Sequence, residues 1–124
     1  MRDEKKEFGV LLREERVGKG YSLRKFAQLL GVSPTYLSQV EQGLVKTPPT
    51  AERVEKMAGL LGVDKDEWIT YAGRVTKESE AILNSNPEMP ALLRAVKGLT
   101  PEQIRKLAAQ AERQKQAGSN EENL

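Results

Sequence analysis

Apolar residues recur along this chain at intervals of three and four, and no stretch alternates at period two, so the pattern predicts helices and no sheet. A first helix is expected from Glu4 to Val17, with Phe8, Leu11 and Leu12 on one face and Gly18-Lys19-Gly20 at its end. Ser22 can cap a second helix that runs to Leu30. Gly31-Val32-Ser33 follows as a tight turn. Pro34 then takes the first position of a third helix, where its missing N–H costs nothing, with Ser33 as cap and an end near Gln42-Gly43. After a polar, proline-bearing loop from Leu44 to Pro49, Thr50 caps a fourth helix to Leu61, on which Val54, Met57, Ala58 and Leu61 share one face. Gly62 stops it, and Asp64 with Glu67 has the spacing of a capping box for a fifth helix carrying Trp68 and Ile69. Ala72-Gly73 closes this bundle, so a domain is expected over residues 1–73.

The second half is patterned differently. A short helix is expected from Thr76 to Leu83, then a break at Asn84-Ser85-Asn86-Pro87 and another helix from Ala91 to Lys97. Beyond Gly98, Thr100-Pro101-Glu102-Gln103 opens a helix with both capping-box spacing and proline in first position. The segment 74–117 reads as a helical extension and 118–124 as a disordered tail. The extension has too few apolar residues for a core of its own. Leu92, Leu93, Val96 and Leu99, with Ile104, Leu107 and Ala111, instead suit a helical hairpin with one adhesive face. Such a face must be covered by the first domain, a second copy or another protein. Residues 87–117 are expected to dimerise the chain. The fold class is all-α.

Composition narrows the chemistry. The chain has 124 residues, which suits a small domain with an appendage, and only 5% are aromatic, so the core must be aliphatic and modest. It contains neither cysteine nor histidine. That excludes disulfides, Cys/His zinc sites, thiol nucleophiles and any triad with an imidazole base. Paired carboxylates at Glu14-Glu15, Glu52/Glu55 and Asp66-Glu67 fall on exposed or capping positions, so no enzyme, metal or cofactor is expected. No apolar run approaches the roughly 18 residues of a membrane span. The charged stretch Met1 to Glu7 does not look like a signal peptide, so a soluble, cytoplasmic protein is expected. The net charge of +2 is unevenly placed. Between positions 16 and 46, Arg16, Lys19, Arg24, Lys25 and Lys46 stand against Glu41 alone. A local basic zone of this kind favours a polyanion more than the total charge does.

The informative stretch runs from Leu23 to Gln42. Two short helices that cross steeply need a small residue at their contact, supplied by Ala27, and a residue free to take positive φ in the turn, supplied by Gly31. Phe26, Leu30, Val32, Leu37 and Val40 point into the shared core. Seven positions satisfied together across 15 residues form a strong signal for helix-turn-helix. With Leu37 and Val40 buried, the opposite face of the third helix is Thr35, Ser38, Gln39 and Gln42, with Ser33 and Pro34 at its tip. Glutamine can pair bidentately with adenine in the major groove, and serine and threonine can meet several base edges. Arg24, Lys25 and Lys46 can serve phosphates, which position a protein without reading sequence.

Residues 8 to 73 resemble the Xre family of helix-turn-helix regulators, which includes the repressors and Cro proteins of lambdoid phages. The matching text is Phe8-Gly9-x-Leu11-Leu12-Arg13, the whole run from Ser22 to Gly43, and Gly62-Val-Asp-Lys-Asp-Glu-Trp68. The resemblance implies a five-helix bundle with the helix from Pro34 in the major groove. It also implies that Ser33, Pro34, Thr35, Ser38 and Gln39 face bases, and that Ser22, Arg24, Tyr36, Gln42 and Lys46 lie near the phosphate backbone. Arg16 and Glu41 match a pair that in this family joins the first helix to the third. Leu23 departs from the family, standing where a phosphate-binding glutamine is frequent, and the loop around Pro48-Pro49 is longer than the shortest family pattern. The function implied is a sequence-specific regulator of transcription, a repressor, binding double-stranded DNA as a homodimer. The alternative is an antitoxin or adaptor whose C-terminal helices hold a partner protein.

Overall fold

The computed structural model describes residues 4–122, with side chains over 7–118. Among the described residues eight helices follow one another: α1 (Glu4–Gly18), α2 (Leu23–Leu30), α3 (Pro34–Gln42), α4 (Ala51–Leu61), α5 (Lys65–Tyr71), α6 (Lys77–Ser85), α7 (Met89–Val96) and α8 (Pro101–Glu122). No strand occurs among the described residues, and none of their helices is long and apolar enough to cross a membrane. The fold is all-α, with a five-helix helix-turn-helix domain followed by a helical extension.

Helices α2 to α5 start where side chains can satisfy their free N–H groups. Ser22, Ser33, Thr50 and Asp64 accept from the backbone N–H of Lys25, Tyr36, Arg53 and Glu67 at 3.0, 3.0, 3.2 and 2.9 Å. Each such cap contributes about 1 kcal/mol to its helix. Gly31 ends α2 at φ 77°, a left-handed conformation that turns the chain into α3 and that a side chain would strain.

One core joins these helices. Phe8 and Leu12 from α1 meet Phe26, Ala27 and Leu30 from α2, Leu37 and Val40 from α3, and the buried face of α4. Trp68 of α5 closes the bundle, its ring edge-on to Phe8 with centroids 5.6 Å apart. The approach of α1 to α3 is close at Gly9. A Cβ there would lie 2.4 Å from the Glu41 carbonyl oxygen and 2.5 Å from that of Val40.

The chain divides into two compact units, residues 1–82 and 83–124. The sequence alone set the end of the first domain at residue 73. Residues 74–82 go with the first unit because their polar side chains reach back to it: Arg74 bonds to the carbonyls of Pro48 and Pro49, and Lys77 pairs with Glu52. In the second unit, Thr100 and Gln103 form a reciprocal capping box for α8, at 3.2 and 2.9 Å. Helix α7 begins at Met89, ahead of the expected Ala91, because Pro90 is tolerated in a first turn. Helix α8 continues past Gly118 to Glu122 with no proline to stop it, through residues the sequence reading assigned to a tail; 123–124 lie outside the described residues. Helices α6 and α7 contain no buried residue, and Leu92, Leu93, Ile104 and Leu107 are 40–50% exposed.

Candidate nucleic-acid interface

The orientation of α3 is fixed from behind. Leu37 and Val40 sit in the core, and Glu41, on the same inner side, is buried against Arg16 of α1. The Arg16 guanidinium donates through Nε to Glu41 Oε2 at 2.7 Å and through Nη2 to Oε1 at 3.0 Å. Its Nη1 donates to the Tyr21 carbonyl at 2.8 Å. This fork-to-fork arrangement fixes direction as well as distance. It ties α1, the turn before α2 and the C-terminal end of α3 into one rigid unit.

The outer face of α3 follows from that anchoring. Ser33, Pro34, Thr35, Gln39 and Gln42 are exposed and Ser38 is half-buried. Two of these residues already hold each other, Gln42 Nε2 donating to Ser38 Oγ at 2.8 Å. The hydroxyls of Ser22 and Ser33 accept as helix caps and keep their own O–H free to donate outward. Arg24 and Lys46 are exposed.

Tyr36 is half-buried under Arg53. The guanidinium carbon lies 5.0 Å from the ring centroid, and Nη1 donates to the phenol oxygen at 3.1 Å. Sequence reasoning missed Arg53. Its only local signal is its place in the first turn of α4, three residues after the Thr50 cap; the contact with Tyr36 exists only once α3 and α4 are side by side.

Cations stand along both edges of the α3 face. On one edge, Arg13 shares a shallow depression with Ser38 and Gln42. On the other, Lys46, Arg53 and Arg74 line a groove together with Tyr36 and Gln39, and no acidic residue lines it. Arg74 also lay outside the basic stretch picked out by sequence, which ended at Lys46. The arrangement is thus a neutral strip of amides and hydroxyls between two basic margins. A strip of this kind can donate to and accept from base edges while its margins meet phosphates. Leu92, Leu93, Val96, Leu99, Ile104, Leu107 and Ala111, the expected dimerisation residues, all fall in the second unit, where Val96 and Leu99 are half-buried and the others exposed.

Known proteins resemble the chain over this region. The helix-turn-helix family HTH_3 matches residues 12–68. The HTH-type transcriptional regulator SinR of Bacillus subtilis (strain 168) is 32% identical, over 60% of this chain and 72% of SinR. SinR of Bacillus licheniformis is 34% identical with the same coverage, 60% and 72%. A crystal structure of SinR, described as the master regulator for biofilm formation, in complex with DNA is 32% identical, covering 50% of this chain and 97% of that one at a TM-score of 0.45.

Proposed function

The chain belongs to the HTH_3 helix-turn-helix family, the Xre and lambda-repressor-like group of DNA-binding transcription regulators, and from that membership we propose that it is a cytoplasmic repressor that binds a specific operator in double-stranded DNA as a homodimer. The observation that carries this reading is the α3 face: Gln39 and Thr35 exposed opposite buried Leu37 and Val40, with basic residues along both edges. In this reading Ser33, Pro34, Thr35, Ser38 and Gln39 meet bases. Ser22, Arg24, Tyr36, Gln42 and Lys46 lie at the backbone, with Arg53 beside Tyr36. Repression needs only occupancy of the operator, so regulation here is binding and involves no catalytic step or cofactor.

A single short recognition helix reads too few base pairs to select one site in a genome, which favours two copies on two half-sites. The exposed apolar residues of α7 and α8 supply a surface for that pairing. Because the reading face itself carries no arginine or lysine, the basic margins provide most of the affinity, and binding weakens steeply with salt.

Selection of bound duplexes from a random pool at physiological salt tests the reading. Recovery of inverted half-sites about 34–36 Å apart, one helical turn, is the expected result. A folded protein that enriches no sequence would refute it. On the recovered duplex, Gln39→Ala is expected to cost about 1–3 kcal/mol while binding to random DNA stays unchanged. An equal loss on both would show that Gln39 does not read a base. Leu93→Glu with Leu107→Glu should convert a dimer to a monomer in light scattering; an unchanged mass would remove these residues from the dimer contact.

A further inference from the structure

Resting on the reading of the chain as a DNA-binding regulator, we propose that Arg74 is a positioning residue for contact with the DNA backbone: it holds the loop between α3 and α4 in the shape that sets Lys46 beside the reading face. Arg74 lies beyond the segment matched by the family, just after the close of α5, so it belongs to the start of the extension and not to the helix-turn-helix itself.

The loop from Leu44 to Pro49 needs an outside support. Pro48 and Pro49 have no N–H, so neither can donate a backbone hydrogen bond to brace the loop. Their carbonyls still require donors, because Pro49 is buried and Pro48 half-buried. Arg74 supplies both, Nε donating to the Pro49 carbonyl at 3.1 Å and Nη2 to the Pro48 carbonyl at 2.8 Å. The planar fork of arginine can reach two adjacent carbonyls at fixed angles; the single ammonium of lysine cannot reproduce that geometry.

The same guanidinium forms part of the groove that Lys46, Arg53, Tyr36 and Gln39 line. A loop ordered before DNA arrives loses less conformational entropy on binding than one ordered by the DNA. Lys46 therefore meets a phosphate from a pre-set position, and that pre-setting depends on a residue that touches the loop rather than the DNA. Lys77, three residues further on, pairs with Glu52 in the first turn of α4, so the start of the extension is fastened on both sides of the Thr50 cap.

Two variants of the full chain, Arg74→Lys and Arg74→Gln, separate positioning from charge. Affinity is measured on the duplex that the wild-type chain selects from a random pool, between about 50 and 200 mM salt. Both variants are expected to bind roughly tenfold more weakly, the ordinary worth of one charge-assisted contact. Both should also flatten the logarithmic salt dependence by about one phosphate contact. In a Lys46→Gln background, Arg74→Lys should add less than about twofold, because the contact it positions is already gone. Amide hydrogen exchange at Lys46 and Thr47 in the DNA-free protein should quicken in Arg74→Lys, which reads the clamp without DNA. Wild-type affinity and salt slope in Arg74→Lys would mean that Arg74 acts through its charge, and the proposal falls. It falls equally if melting temperature drops with affinity and slope unchanged, or if the Arg74 and Lys46 effects multiply independently. Should the wild-type chain select no duplex, the DNA-binding reading fails first, before any variant is made, and this inference fails with it.

Discussion

Helices α1–α5 and α6–α8 are written with the same local vocabulary and reach opposite states of burial. Hydroxyl caps occur in both sets, at Ser22, Ser33 and Thr50 in the first and at Thr76 and Thr100 in the second, although α7 starts without one, and the reciprocal Thr100–Gln103 box of α8 is as complete as any in the first set. Yet the first set, with Ala72 just after it, buries fourteen apolar residues in one cluster, whereas α6 and α7 bury none and the apolar side chains Ile104 and Leu107 of α8 remain 45% and 40% exposed. Caps and periodicity decide that a helix forms and where it starts. Burial is decided by whether other helices cross its apolar stripe, and that depends on what surrounds it. Short helices without such packing are marginal in water, so the eight-residue α7 calls for a covering surface in a way that α2 and α3 do not.

The sharpest way to break this contrast is at the buried ion pair. Arg16→Ala should destabilise the chain by about 3–5 kcal/mol in denaturant melts, because it strands the Glu41 carboxylate inside the protein. It also leaves the Tyr21 carbonyl without its guanidinium donor. The double replacement Arg16→Met with Glu41→Leu should recover much of that loss, since the desolvation cost disappears with both charges. A loss under about 1 kcal/mol for Arg16→Ala would show that the rigidity of α1 on α3 comes from apolar packing alone.

Identical chemistry at two leucines measures the contrast directly. Leu12, fully buried on α1, should cost about 2–5 kcal/mol on replacement by alanine. Leu93, half exposed on α7, should change the melt of dilute protein by no more than about 0.5 kcal/mol. If Leu93→Ala destabilises dilute protein as much as Leu12→Ala, the second unit has packing of its own that its exposure does not reveal.

Gly9 tests how tightly α3 is seated. An alanine there would press its Cβ onto two backbone carbonyls that cannot rotate away, so Gly9→Ala should cost about 3 kcal/mol, the upper end of overpacking. It should also loosen α3 and weaken DNA binding beyond the loss of stability. Gly59, with open space around its Cβ position on α4, is the control: alanine there should stabilise by about 0.5–1 kcal/mol. Equal melting points for the two variants would remove the close approach of α1 to α3 as a constraint.

These sites also mark what could be read without a structure. Ser22, Ser33 and Thr50 were legible as caps because a cap is a relation between residues three apart. The buried faces of α2, α3 and α4 were legible through helical spacing, and the outer face of α3 followed by subtraction. Arg53 over Tyr36, Arg74 on Pro48 and Pro49, and Lys77 on Glu52 were not legible. Each joins residues 17 to 26 positions apart in loops and first turns, where no periodicity records the contact. Gly9 was visible only as part of a family-like motif; its packing role depends on the path of α3. The pair Arg16–Glu41 entered through resemblance, since nothing in the spacing of two opposite charges 25 residues apart distinguishes a buried bond from two solvated side chains.

The smallest effect concerns α6, the helix at the junction of the two regions, and the pair that fastens it. A hydrogen bond from Lys77, reinforced by its charge, holds the Glu52 carboxyl below the usual carboxylate range. The same bond to Glu52 holds the Lys77 ammonium above the usual lysine range. For Glu52, whose folded value is depressed, the stabilisation is present above the ordinary carboxylate value and disappears as pH falls through the lowered one. For Lys77, whose folded value is raised, it is present below the ordinary lysine value and disappears as pH rises through the higher one. The pair therefore acts across the whole neutral range and fails at both extremes. Both side chains are exposed, so water and salt screen the attraction and the global melt should scarcely register it. The expected readout is local: hydrogen exchange in the first turn of α6, corrected for its intrinsic pH dependence, should quicken on acidification before the α1–α5 core loosens. Glu52→Gln should give that faster exchange already at neutral pH and abolish the acid step. If exchange in α6 is the same in Glu52→Gln and wild type, Lys77 is not what joins α6 to the first unit.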